Sequence, residues 1–251
     1  MLALINRFTC SNLNLNTRLL SWKMLNVDPR NQYKTEKDAF TEDKLVSRNP
    51  YKQFESWFDE ACNHPDIVEP NAMVLATVKK NKRPTARMVL MKGFDEDGFR
   101  FYTNYRSNKA SELEDNPYAA LVFYWFELNR SVRVEGRVEK LSKEVSEEYF
   151  SRRPRPSQFA AHVSQHQSSP ISSREVLNQR ELELEKVYPD GEPVPKPDFW
   201  GGYFVKPDLI EFWQGHATRI CDRIVFTRKA NISDNFLKQG EDGWIYQRLE
   251  P

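Results

Sequence analysis

The chain has 251 residues, enough for one sizeable hydrophobic core or two small ones. Its formal net charge of +1 and aromatic content of 13% give no global field toward nucleic acid or membranes and support a packed globular body. No apolar run approaches a membrane span, and three scattered cysteines (Cys10, Cys62 and Cys221) without a CxxC argue for a reduced intracellular protein rather than a disulfide scaffold.

Residues 1–27 carry Arg7, Arg18 and Lys23 but no acid. Two readings stand: an unstructured tail on a cytoplasmic protein, or a weak mitochondrial presequence. Residues 1–29 are therefore set apart from a single domain spanning 30–251. Asn49-Pro50 is a helix start, and Phe54, Trp57, Phe58 and Cys62 follow at spacings that suit one buried face.

The period then changes. Ala72–Val78, Thr85–Phe94, Phe99–Asn104, Tyr118–Phe126 and Ser131–Leu141 are rich in Val, Leu, Phe, Tyr and Met, with breaks such as Asp97-Gly98 and Asn116-Pro117 between them. Strands at this spacing predict an antiparallel barrel. Helices are expected at Lys143–Arg152 and Ser173–Tyr188, then a proline-rich connector at Glu192–Pro197. Strands at Gly202–Lys206, Leu209–Gln214, Asp222–Arg228 and Gly243–Leu249 complete the sheet.

The run Arg152-Arg153-Pro154-Arg155-Pro156 is too short and isolated for a nucleic-acid patch. His162 and His166 share helical i,i+4 spacing but lack an acidic third ligand and an HExxH, so no metal is expected. With only nine glycines and neither GxGxxG nor GxxxxGK[ST], a phosphate must be gripped by side chains rather than by a glycine-rich loop. In Arg219-Ile220-Cys221-Asp222-Arg223 an extended chain would turn Arg219, Cys221 and Arg223 to one face. Two guanidiniums around a thiol, with Trp213 upstream, suit a planar anion; a solvated edge strand is the bland alternative.

That last run resembles the C-terminal signature of the pyridoxine (pyridoxamine) 5′-phosphate oxidases, WQG…RLHDR. Arg87–Lys92, Phe101–Asn104, Arg133–Gly136, Tyr149-Phe150, Arg153-Pro154, Ser157-Gln158, Gln167–Ser169 and the ending Arg248–Pro251 are similar to that family in its order, over roughly residues 30 to 251. The resemblance implies a mainly β, FMN-binding split barrel with peripheral helices, homodimeric, with the flavin at the interface. The implied reaction oxidises pyridoxine or pyridoxamine 5′-phosphate to pyridoxal 5′-phosphate with molecular oxygen as acceptor, releasing hydrogen peroxide.

Residue by residue, the resemblance assigns Arg87 and Lys109 to the FMN phosphate, with Thr103, Ser168 and Gln167 as further donors. Met88, Val89 and Leu90 lie along the isoalloxazine edge, with Tyr102, Asn108 and Ser131 at neighbouring cofactor positions. Trp213 and Arg223 complete the flavin pocket across the dimer. Lys92, Tyr149, Arg153 and Ser157 hold the substrate phosphate, and Arg30 and Tyr33 resemble a lid pair. Arg219 lies against the pyridine ring and Cys221 beside it, and these two are the catalytic candidates. On a regular strand Arg87 and Lys92, five apart, would face opposite sides.

Four departures from the family pattern fall at or beside these positions. Cys221 replaces the histidine of RLHDR, Asn108 an arginine of SRK, and Ser131 the glutamine of RQV; the run Ser164–Ser169 has one residue more. A charged hydrogen bond is worth about 1.5–3 kcal/mol, so Asn108 alone lowers FMN affinity roughly tenfold to a hundredfold. The alternative function is accordingly a non-catalytic relative that binds FMN or pyridoxal phosphate as a carrier or sensor.

Overall fold

Asn49 caps the first helix, its side chain accepting the Tyr51 N–H at 2.9 Å, and Pro50 occupies the first helical position. This helix, α1 (Pro50–Asn63), turns Tyr51, Phe54, Trp57 and Ala61 inward. The structure, a computed structural model, describes residues 39–228 and 234–251. In chain order there follow β1 (Ala72–Val78), β2 (Pro84–Leu90), β3 (Gly93–Asp95), β4 (Gly98–Asn104), α2 (Asn108–Asp115), β5 (Tyr118–Trp125) and β6 (Arg130–Lys140). Three helices come next, α3 (Lys143–Ser151), α4 (Arg155–Val163) and α5 (Glu175–Val187), then β7 (Trp200–Gln214), β8 (Asp222–Thr227), β9 (Lys238–Gln239) and β10 (Ile245–Arg248).

All strand pairings are antiparallel, in the order β2-β1-β5-β6-β7-β8-β10-β9. The 15-residue β7 is the spine: β6 pairs with it from Tyr203 to Gln214, β4 takes the other edge of its first half, and β8 that of its second. Alternation buries Met73, Leu75, Leu121, Phe123, Val132 and Val134 on the inner face, against α1. Phe54 meets Phe58, Phe94, Phe99, Phe123 and Trp125. The helices α3 to α5 form an annex whose small core joins Phe150, Phe159, Ala161 and Val194 to Trp200 of β7.

Several expectations need correction. Cys62 is exposed, and Ala61 takes its place on the buried face of α1. The two strands expected at 202–206 and 209–214 are one. Pro207, which cannot donate to a ladder, is accommodated by a register shift at Glu135/Gly136; a Cβ on Gly136 would lie 2.1 Å from the Lys206 carbonyl oxygen. Thr85–Phe94 divides into β2 and β3. The helices α2 and α4 were not anticipated. Only Ala110, Glu112 and Leu113 of α2 are buried, too few for an apolar period, and Pro156 near the start of α4 is a helix opener rather than a break.

Truncating the central ring of this core tests the α1 packing. Phe54→Ala should cost about 3–5 kcal/mol in urea denaturation; a loss below about 1 kcal/mol would mean α1 contributes little to the core.

Candidate active site

One cavity of about 300 Å³ gathers Arg87 and Met88–Leu90 of β2, Lys92, Tyr102 and Thr103 of β4, Lys109 of α2, Tyr149, Arg153, Gln167 and Trp200. Among the described residues β2 pairs only with β1, so the outer main-chain edge of Met88–Leu90 runs along this cavity. Arg87 and Lys92 reach the same space despite their odd separation because β2 ends at Leu90. The Met91 N–H then turns to the Asn71 carbonyl and the Lys92 N–H to that of Arg100.

At one side Lys109 Nζ donates to Thr103 Oγ1 (3.2 Å), Ser107 Oγ (3.3 Å) and Gln167 Oε1 (3.2 Å). Burial, and then the charge of Arg87, push the Lys109 ammonium below its usual range, with Glu112 opposing. Arg87 pairs with Glu112 (2.9 Å) and donates to Thr77, Thr85 and the Leu75 carbonyl. The loop bearing Gln167 is tethered by Asn104, whose Nδ2 donates to the Ser164 carbonyl at 2.5 Å.

At the other side the Tyr102, Tyr149 and Trp200 rings stack, Tyr102 lying 3.9 Å from Tyr149 and 5.4 Å from Trp200. The Arg153 guanidinium lies over Trp200, 4.6 Å from the ring centroid, and its Nη1 is buried with no hydrogen-bond partner among the described residues. Burial lowers the Arg153 pKa and raises that of Tyr149.

A second cavity, about 440 Å³, is set by register. Tyr124, Ser131, Trp213 and Arg223 are paired in one row across β5 to β8, and Val122, Arg133 and Glu211 form the next. Buried Glu211 accepts from Arg223 Nε at 2.7 Å and from Arg133. Burial alone would raise its carboxyl, but the Arg223 and Arg133 hydrogen bonds outweigh that and hold it below the usual carboxylate value. The Ser131 hydroxyl donates to the Phe123 carbonyl at 2.9 Å.

Of the remaining expected residues, those among the described ones are not brought into either cavity. Arg219 is exposed in a left-handed conformation (φ 69°), so Arg219, Cys221 and Arg223 do not share a strand face as an extended chain would. The turn is fixed by the Arg219 N–H to the His216 carbonyl and by His216 Nδ1, which accepts from the Thr218 N–H (3.2 Å) and meets its hydroxyl at 2.6 Å. β8 begins only at Asp222, leaving Cys221 half-buried before it. Asn108 is exposed, its N–H 3.5 Å from Ser168 Oγ; Ser168 itself is exposed with φ 79°. Ser157 is half-buried in α4. Arg30 and Tyr33 lie outside the described residues.

Two family models match the chain: pyridoxamine 5′-phosphate oxidase over residues 62–188, and the pyridoxine 5′-phosphate oxidase C-terminal dimerisation region over residues 200–251. The pyridoxine/pyridoxamine 5′-phosphate oxidase of Bombyx mori is 54% identical over 226 residues, 88% of this chain and 88% of that one. The pyridoxine-5′-phosphate oxidase of Bos taurus is 52% identical over 226 residues, 88% of this chain and 86% of that one. Among solved structures, PhzG from Burkholderia lata 383, in complex with tetrahydrophenazine-1-carboxylic acid, matches with TM-score 0.73 at 25% identity, over 85% of this chain and 98% of that one. The chain belongs to the pyridoxine/pyridoxamine 5′-phosphate oxidase family. Its sheet is that family's split barrel, and the dimerisation region makes it a homodimer.

Glu112, Trp200, Arg133, Glu211 and Asn104 were assigned no site role from the sequence, although Asn104 and Arg133 fall within family-like runs. Only Glu112 carried a local signal, lying three residues after Lys109 on one helical face; Glu211 meets Arg133 by cross-strand register.

Because the Glu211 pKa is depressed in the fold, its ion pairs stabilise the protein above the ordinary carboxylate value of 4.5 and lose that contribution as pH falls below it. Glu211→Gln should lower the urea midpoint at neutral pH and flatten its fall below about pH 5. An unchanged acid profile would show that the triad carries no such linkage.

Proposed function

We propose that the chain oxidises pyridoxine or pyridoxamine 5′-phosphate to pyridoxal 5′-phosphate, with FMN as cofactor and molecular oxygen as acceptor, releasing hydrogen peroxide. The observation that carries this reading is the Arg153 guanidinium, laid on Trp200 with a buried, partnerless Nη1, in one cavity with Lys92 and Tyr149. A desolvated cation with an unused donor is costly unless an anion completes it. Lys92, Tyr149 and Arg153 therefore take the substrate phosphate.

The donor set fits FMN at the other side of the same cavity. Lys109 and Arg87 offer cations, Thr103 a hydroxyl and Gln167 an amide, and the unpaired edge of β2 offers main-chain groups to a flat ring. When bound, FMN supplies the acceptor for the two electrons that leave the substrate. The protein's own part is to neutralise two phosphates, stack the rings against an aromatic wall and exclude water.

A cavity of about 300 Å³ is at the low end for one ligand and too small to enclose two. Trp200 and Trp213 stand near opposite ends of β7, on the order of 40 Å of extended chain apart. Trp213, Arg223 and Ser131 therefore serve the cavity of the second copy, which the dimerisation region supports. The exposure of Arg219 and its turn fits the same role, with Arg219 meeting the partner's pyridine ring and Cys221 beside it.

Purified protein should be yellow, and pyridoxamine 5′-phosphate should bleach it in the absence of oxygen. Arg153→Met should raise KM for the phosphate substrate at least about tenfold while FMN affinity stays the same. Flavin that binds but never bleaches would support the carrier or sensor alternative, and a protein that takes up no FMN would end the oxidase reading and leave only a pyridoxal phosphate carrier.

No helix among the described residues is long and apolar enough to cross a membrane. Cytoplasmic residence is our reading of residues 1–29, with mitochondrial import as its alternative. A fluorescent reporter fused to residues 1–30 should give a diffuse signal; a mitochondrial pattern would reverse the choice.

A further inference from the structure

Arg87 is held unusually fully for a residue expected to grip a ligand. Its Nη1 donates to the Leu75 carbonyl (3.2 Å) and to Thr77 Oγ1, and its Nη2 to Thr85 Oγ1 (3.3 Å) and Glu112 Oε2 (2.9 Å). Of five guanidinium N–H groups, only Nε–H has no protein acceptor among the described residues. Glu112 is 6% exposed and also accepts from buried Thr77 at 2.5 Å. Arg87 and Lys109 line the cavity; Glu112 does not, and so stands behind the cations rather than against a ligand.

We propose that Glu112 is a positioning residue for the cofactor phosphate: it anchors Arg87 as a fixed charge and offsets the repulsion between Arg87 and Lys109. The proposal rests on the assignment of this cavity to FMN. Two cations converging on one small space repel each other, and without a counter-charge Arg87 would swing toward solvent. Glu112 lies three residues after Lys109 on α2 and pairs with Arg87 of β2, so one carboxylate acts on both. Lys109, with its rotatable ammonium, then makes the adaptable contacts and Arg87 the fixed one. A buried ion pair is weak evidence for stability, since its desolvation offsets much of the attraction, so the geometry favours placement over scaffolding.

Removing the carboxylate also removes a charge that repels phosphate. That gain is the smaller effect, because the cations lie between Glu112 and the ligand.

The test is titration of the full chain, stripped of flavin, with FMN and with riboflavin, which lacks the phosphate. Glu112→Gln should raise the Kd for FMN about tenfold and leave that for riboflavin within about twofold. Thr77→Val, which removes one hydroxyl from the same cluster, should act in the same sense but less, and serves if Glu112→Gln fails to fold. In an Arg87→Met background Glu112→Gln should add little. An equal loss for both flavins, no change, or tighter FMN binding would overturn the inference. If Arg87→Met leaves FMN binding intact, the cavity assignment itself falls; if it weakens FMN while Glu112→Gln does not, only the inference about Glu112 falls.

Discussion

Like charges cannot be gathered around a small cavity unless something holds each in place, and every cation cluster here has such a brace. Arg87 has Glu112 and Thr77, Arg223 and Arg133 share Glu211, and Arg153 lies on the face of Trp200. The braces differ in consequence. A carboxylate fixes direction and lowers the local net charge, whereas an aromatic face holds the guanidinium and leaves its N–H groups for a ligand. Arg153 is thus the cation with the most to offer an incoming phosphate.

β7 ties these clusters into one architecture. Its first residue, Trp200, stacks on Tyr102; its end carries Trp213, opposite Arg223 on β8, and Glu211, opposite Arg133 on β6. A single strand therefore serves both cavities, its Trp200 end held by the ladder with β4 and its Trp213 end by the ladders with β6 and β8. The register shift opposite Pro207 lets the strand continue through a residue that would otherwise end it.

Much of the barrel was legible because its strands alternate or carry β-branched and aromatic runs, as at Ala72–Val78 and Ser131–Leu141. The family motifs and the lack of glycine loops pointed to Arg87, Lys92, Lys109 and Arg153, which the structure gathers in one cavity. What the sequence hid depends on local breaks and on long-range register. The odd spacing of Arg87 and Lys92 pointed to opposite faces until β2 stopped at Leu90. The alternation of Arg219, Cys221 and Arg223 failed because hydrogen bonds to His216 curl the chain into a left-handed turn at Arg219. Glu211 and Arg133 are 78 residues apart and meet only through the β6–β7 ladder.

The helical annex has a thermodynamic consequence. No residue of α5 is buried, and the small core beneath α3 and α4 leans on the barrel through Trp200 and the Tyr102–Tyr149 stack. Such a layer opens at lower free energy than the sheet below it. When it lifts, Tyr149 and Arg153 depart while Arg87 and Lys109 stay seated on β2 and α2. On the proposed assignment, mild warming thus loosens the grip on substrate before that on flavin, leaving a coloured but idle protein.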